Sequence, residues 1–242
     1  MTIEPVAVFH SPVQGKFGLP RQSGLAASLE GVVELLPPYN REEALRGLEG
    51  FDYVWLVWEF SLNDAGSRGE NPSAWTGTPA ASLPLTVRPP RLGGNTRVGV
   101  FASRSPFRPN RLGLSSVKIA GIDAGRGVIR VLGADLADGT PIYDIKPYVP
   151  YADSHPDARG GFTDSAAWQP LDVVFECDVP ADWQAGGESV AAHPIDALRE
   201  ILSQDPRPQY QDDPERIYGL LYAGKNVRFR ISDGILTVLS IE

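Results

Sequence analysis

Short β-patterned segments succeed one another along this chain without a helix after each, and that spacing constrains the fold more than any other feature. Glu4–His10, Gly31–Leu36, Tyr53–Phe60, Thr96–Ala102, Leu114–Ile122, Gly127–Gly133 and Pro141–Ile145 read as strands, set off by turn-forming residues. Tyr53–Phe60 (YVWLVWEF) is almost continuously apolar, which predicts a strand buried on both faces. Only two helical stretches stand out. Asn40–Leu48 offers Asn40 as a cap, with Glu42 and Glu43 in the first turn where the helix dipole favours acids. Pro194–Leu202 begins on a first-turn proline and sets Ile195, Leu198, Ile201 and Leu202 along one face. A doubly wound parallel sheet needs a crossover helix per strand, so it is not the expected class. The expected class is mainly β, as a barrel or a strongly curved sheet.

The stretch Ala152–Gln169 has no apolar periodicity and reads as a linker. Beyond it come a strand at Asp172–Asp178, the second helix and a terminal hairpin. In that hairpin Val227, Phe229 and Ile231 alternate with polar residues, and Asp233-Gly234 turns the chain into Ile235–Ile241. The expected organisation is a β domain over 1–151, a linker over 152–169 and a small α+β domain over 170–242. The loop Asn63–Ser82 reads as a long insertion.

Several chemistries are disfavoured. Cys177 is the only cysteine, which rules out a disulfide framework or a multi-cysteine zinc site. His10, His155 and His193 lack ligand spacing, so no metal is expected. The N-terminus lacks a signal-peptide pattern, and Tyr53–Trp58 is far too short to span a bilayer. A soluble, cytoplasmic protein with no membrane partner is expected. There is no nucleophile elbow and no dinucleotide fingerprint. Gly219–Lys225 matches the first seven places of a P-loop, but Asn226 takes the hydroxyl place and a β-patterned segment follows. That loop's mechanism requires a helix N-terminus beneath the phosphates.

Charge is unevenly placed. The net charge is −8, yet residues 71–122 contain six arginines, one lysine and no acid. A basic stretch in an acidic chain is a directional field suited to phosphates, an anionic metabolite or an acidic protein face. A solvated arginine-rich loop is the plainer alternative. Arginine's planar fork favours bidentate anion contacts over a purely solubilising role.

Four polar-aromatic segments lie between the strands. They are Ser11–Gly24, Phe60-Ser61, the pair Arg88–Asn95 and Gly99–Ser115, and Asp138–Tyr148. Their Pro and Gly residues fix unusual backbone angles that can aim amides and carbonyls at a ligand. Loops at a barrel mouth are a natural place for a site.

These segments resemble, in order, the TrmO (TsaA-like) family of S-adenosylmethionine-dependent tRNA methyltransferases. The resemblance runs through SPVQGKFGLPRQSGL, REEALRGLEGFDYVWLVWEF, TVRPPRLGGNTRVGVFASRSPFRPNRLGLSSV, LADGTPIYDIKPYVPYADS, QDPRPQY and NVRFRISDG. It implies a compact non-Rossmann β-barrel catalytic domain, a homodimer, and methylation of N6 of N6-threonylcarbamoyladenosine beside the tRNA anticodon. The cofactor positions it implies are Arg21, Gln22, Ser23, Phe60, Ser61, Arg104, Leu114, Asp138, Gly139, Thr140 and Pro141. Many members carry His where this chain has Ser61. In the C-terminal QDPRPQY motif, Arg207 and Tyr210 are candidate tRNA contacts, together with Arg88, Arg91, Arg108 and Arg111 upstream. Asp144, Tyr143, Lys146 and Tyr148 are the candidate groups for proton removal from the acceptor nitrogen. Two alternatives remain open at this point: a non-catalytic tRNA- or nucleotide-binding module, and a methyltransferase of the same fold with another acceptor.

Overall fold

The computed structural model describes residues 3–62, 85–89, 92, 96–165, 169–184, 194–207 and 213–242. The insertion expected over 63–82 lies outside them. The first strands are β1 (Ala7–His10), β2 (Glu30–Leu35), β3 (Tyr53–Glu59), β4 (Thr86–Val87), β5 (Val98–Gly99), β6 (Leu112–Asp123), β7 (Val128–Leu132) and β8 (Thr140–Pro147). Six of them close into a barrel of order β1-β2-β7-β6-β3-β8, while β4 and β5 form a separate two-stranded pair. Ala7, Phe9, Val33, Val54, Leu56, Trp58, Val117, Ile129, Val131 and Ile142 fill its interior. Closure removes the exposed sheet edges that a curved open sheet would leave.

All barrel neighbours are antiparallel, and the register decides where the loops emerge. Phe9 pairs with Thr140, Trp58 with Ile142, Glu59 with Leu112, and Glu30 with Leu132. The ends of β1, β3 and β7 and the starts of β2, β6 and β8 therefore share one rim. The connections 11–29, 60–111 and 133–139 all leave from it.

Three sequence expectations change. Strand β3 is not buried on both faces: Val54, Leu56 and Trp58 point inward, and Trp55 and Val57 are only half-buried. A barrel has one packed interior, and Trp55 is covered instead by Tyr148 and by Asp153, whose carboxylate accepts its indole N–H at 3.0 Å. The helix over Asn40–Leu48 contracts to one turn, α1 (Glu42–Leu45), capped by the backbone of Arg41 and not by Asn40. Gly47, with φ +88, ends it. The strand over Thr96–Ala102 shrinks to β5, because Val100–Ala102 winds into a 3-10 turn.

The C-terminal segments add α2 (Pro150–Asp153), β9 (Asp172–Phe175), α3 (Ala181–Gln184), α4 (Pro194–Ser203), β10 (Tyr218–Tyr222), β11 (Lys225–Ser232) and β12 (Ile235–Ile241). Their sheet runs β10-β11-β12-β9, with α4 against it. The P-loop look-alike is the β10–β11 hairpin turn, where Ala223 and Gly224 both have positive φ. Val13, Ala26 and Leu29 of the 11–29 connection are buried in this second core, with Phe17 and Leu19 packed on it. Gly18 marks how close the approach is, since a Cβ there would stand 2.3 Å from a Leu220 methyl.

Candidate functional site

At the rim, the 11–29 connection is held from two sides. Asp138 N–H donates to the Val13 carbonyl at 2.9 Å and Gly24 N–H to the Gly133 carbonyl at 2.7 Å. From the other side, Glu200 of α4 accepts from the Ser28 amide at 2.8 Å and its hydroxyl at 2.9 Å. Arg21 donates to the Asp205 carbonyl at 3.2 Å, at the C-terminal end of α4 where a cation suits the helix dipole. These bonds fix the backbone that carries Arg21, Gln22 and Ser23.

Arg104 reaches across from the β3–β6 connection and donates to Gln22 Oε1 at 2.6 Å. Phe60 packs edge-on against Trp58, centroids 4.4 Å apart, and its amide donates to Arg111 O. Leu114 is 57% exposed, an apolar surface open to solvent. In the Asp138–Pro141 turn, the Asp138 carboxylate accepts the Ser11 amide at 3.0 Å, and buried Thr140 donates its hydroxyl to Ala137 O at 2.7 Å. Ser61 follows Phe60 at the strand end and is exposed. All the cofactor positions implied by the family resemblance thus occupy one rim and the connections leaving it.

Beneath them lies a hydrogen-bonded chain that sequence reasoning missed. The Trp58 indole N–H donates to Ser115 Oγ at 2.9 Å, and Ser115 donates onward to Asp135 Oδ1 at 2.5 Å. Burial raises the Asp135 carboxyl above its usual range. Ser115, the Ser23 amide and the Arg104 charge pull it back. Asp135 stands three residues before Asp138, and only the inward-facing Ser115 across the mouth could have marked it. Gly113 gives the Trp58 ring its space: a Cβ there would lie 2.3 Å from the indole. Gly113→Ala is expected to cost about 1–3 kcal/mol through overpacking and to shift the tryptophan emission. An unchanged melting temperature and spectrum would contradict this.

The proton-removal candidates divide. Tyr143 donates to Glu59 Oε2 at 2.5 Å, and Arg111 stands 3.7 Å from the same carboxylate. Desolvation, then the Glu59 hydrogen bond and charge, push the Tyr143 phenol up to about 12. It is a hydrogen-bond donor at neutral pH. Its raised value contributes stability that is complete below the unfolded value near 10 and is lost as pH rises through about 12. Tyr143→Phe should therefore flatten the alkaline fall in denaturation midpoint between about pH 10 and 12; an identical profile would count against the Tyr143–Glu59 bond. Asp144 pairs with Lys146 at 3.1 Å on the barrel's outer surface. Tyr148 lies at the opposite end, its amide on Tyr53 O and its ring against Tyr53 and Trp55.

The nucleic-acid candidates also divide. Arg88 is exposed, whereas Arg108 donates to Ser103 O at 2.7 Å and Arg111 is mostly buried beside Glu59. Arg207 shares its Nε–H between both Asp205 carboxylate oxygens at 3.1 Å. Arg91 and Tyr210 lie outside the described residues. Among the described residues no helix is long and apolar enough to cross a membrane, and no group of three His, Cys, Asp or Glu could hold a metal.

Known proteins resemble this chain over its whole length. A family model described as the tRNA-methyltransferase O N-terminal domain matches residues 8–154, and one described as the TrmO C-terminal domain matches 169–242. The tRNA (adenine(37)-N6)-methyltransferase of Escherichia coli (strain K12) is 40% identical over 243 residues, covering 99% of this chain and 97% of that protein. A Pseudomonas aeruginosa protein named "Putative S-adenosylmethionine-dependent methyltransferase RcsF" is 41% identical, covering 90% of this chain and 87% of its own. The crystal structure of TrmO from Pseudomonas aeruginosa superposes with a TM-score of 0.77 at 30% identity, covering 100% of this chain and 98% of that one.

Proposed function

The chain belongs to the tRNA-methyltransferase O family and is, on that membership, an S-adenosylmethionine-dependent tRNA (adenine-N6)-methyltransferase; we propose that its acceptor is N6 of N6-threonylcarbamoyladenosine beside the anticodon. The observation that carries this reading is the convergence of Gln22, Ser23, Arg104, Leu114 and Asp138 on one barrel rim.

The donor set at that rim fits the cofactor's chemistry. Arg104 offers a planar fork to a carboxylate. Asp138 offers a carboxylate to an ammonium or a ribose hydroxyl, and it is 40% exposed. Leu114 and Phe60 offer apolar surface to a purine. S-adenosylmethionine, when bound, supplies a methyl group on a positively charged sulfur.

The chain's own task is alignment. Methyl transfer is an in-line displacement, and holding two reactants in line is worth roughly 7–11 kcal/mol. Rigid strand ends and the cross-bonded 11–29 connection suit that task. Tyr143 holds its proton against Glu59 and is not the base. The substrate's own threonyl carboxylate or a water takes the proton in this reading. Exposed Arg88 receives a tRNA phosphate or that carboxylate. We place the enzyme in the cytoplasm as a homodimer, the state the family resemblance implies.

The test is transfer of a labelled methyl group to matched tRNAs with and without the threonylcarbamoyl modification. Label on the modified tRNA alone is expected. Label on neither makes the chain a binding module, and label on the unmodified tRNA assigns another acceptor.

A further inference from the structure

We propose that Phe107 is a substrate-binding residue, an aromatic face on which an unpaired base of the tRNA stacks beside the cofactor rim. The inference deepens the tRNA-methyltransferase reading above and rests on it. Large apolar side chains scattered singly in water need no explanation. Here Leu85 and Phe101 are each 78% exposed and Phe107 is 59% exposed, all within the single connection between β3 and β6. Phe107 stands on a fastened backbone. The Ser103 hydroxyl donates to the Val100 carbonyl at 2.9 Å, and the Phe107 amide donates to Ser105 Oγ at 3.2 Å. Arg108 donates to the Ser103 carbonyl at 2.7 Å. Upstream, Arg104 bonds Gln22 across the rim at 2.6 Å; downstream, the Arg111 carbonyl accepts the Phe60 amide at the end of β3 at 2.9 Å. Pro106 and Pro109 further restrict the segment. The ring is therefore shown to solvent by a backbone already ordered, and a partner that covers it loses little entropy in ordering it.

Charge decides which partner fits. Phe107 lies between Arg104 and Arg108, in a stretch over 71–122 that holds six arginines, one lysine and no acid. An aromatic face among arginines matches single-stranded RNA, whose bases stack on the ring while its phosphates meet the cations. The bases beside an anticodon lie in a hairpin loop and are unpaired, so their faces are available to a side chain. A second copy of the chain fits less well. A two-fold contact would lay this arginine-bearing surface against itself, and like charges would face each other. Stacking reads no base edge, so Phe107 contributes grip on the loop and leaves the choice of acceptor to the rim.

The full-length chain is compared as wild type, Phe107→Ala, Phe107→Leu and Phe107→Trp. In the transfer assay KM for tRNA is expected to rise about tenfold in Phe107→Ala and Phe107→Leu, with kcat within about twofold. Phe107→Trp, which keeps a π-face, should stay within about threefold of wild type. The affinity for S-adenosylhomocysteine by calorimetry and the oligomeric state by sedimentation should be the same in all four. Wild-type KM in Phe107→Ala, or its recovery by leucine, overturns the inference, because stacking needs an aromatic ring. A loss of S-adenosylhomocysteine affinity would place the ring against the cofactor instead, and a change of oligomeric state would place it against a second copy; either overturns it. Direct binding of fluorescently labelled tRNA should show the same ranking of variants. That arm separates the two readings: a wild type that binds tRNA but transfers no methyl group overturns the methyltransferase reading, while the ranking still decides the role of Phe107. A wild type that binds no tRNA overturns both.

Discussion

Arg104→Ala is expected to weaken S-adenosylmethionine binding about ten- to a hundredfold while leaving the fold intact. A hydrogen-bonded charge pair contributes about 1.5–3 kcal/mol, and each 1.4 kcal/mol is about tenfold in affinity. Arg104 is exposed and its hydrogen bond runs to Gln22 across the rim, so its loss removes little packing. The melting temperature should move by no more than about a degree or two, as for other surface substitutions. Arg104→Lys should recover part of the affinity. It keeps the charge and loses the planar fork. Raising the salt concentration should weaken the wild type more than the alanine variant, because only the former has the exposed ionic contact to screen. Calorimetry at two ionic strengths reads all three effects. Affinity unchanged by Arg104→Ala would remove this residue from the site and leave Arg21 as the remaining arginine of the implied cofactor set.

The barrel was legible in the sequence because its strands obey local rules. β6, β7 and β8 appear within two residues of the expected bounds, and the terminal hairpin lies where its alternation and Asp233-Gly234 turn place it. What escaped depends on contacts between distant residues. The outer face of β3 looks core-like in sequence, and only the fold shows Trp55 lying under Tyr148 and bonded to Asp153. β10 hid inside a P-loop look-alike, because Gly219 and Gly224 mask a strand whose buried residues are Tyr218, Leu220 and Tyr222. A site at the barrel mouth was expected from the polar-aromatic segments between the strands. The carboxylate beneath it was not, since Asp135 gains its meaning from Ser115, twenty residues upstream. The second core also crosses the expected domain division, because Val13, Ala26 and Leu29 read as ordinary loop apolars until α4 and β10 pack on them.

That shared core makes Tyr222→Ala the most damaging single change among those considered. Tyr222 is fully buried, donates its hydroxyl to Pro194 O at 3.0 Å and meets Trp183 edge-on with centroids 5.4 Å apart. Its backbone bridges Val13, and the next residue, Ala223, donates to Pro12 O at 2.8 Å. Truncating a buried aromatic costs about 3–5 kcal/mol through lost transfer energy and the cavity left behind. In a chain of this length that lowers the melting temperature by roughly 10 °C. Tyr222→Phe removes only the hydroxyl bond and should cost about 1 kcal/mol. The difference between the two variants isolates the ring. Because Tyr222 packs in the core that holds Val13, Ala26 and Leu29, the loosened region includes the connection carrying Arg21, Gln22 and Ser23. Cofactor affinity should therefore fall with stability in Tyr222→Ala, although the residue lies outside the rim. Calorimetric melting with and without S-adenosylmethionine tests both halves. A melting temperature within about 2 °C of wild type would mean the C-terminal sheet does not support the connection. A large loss of stability with full affinity below the melting transition would mean that the rim holds its shape through Gly24, Gly133 and Asp138 alone.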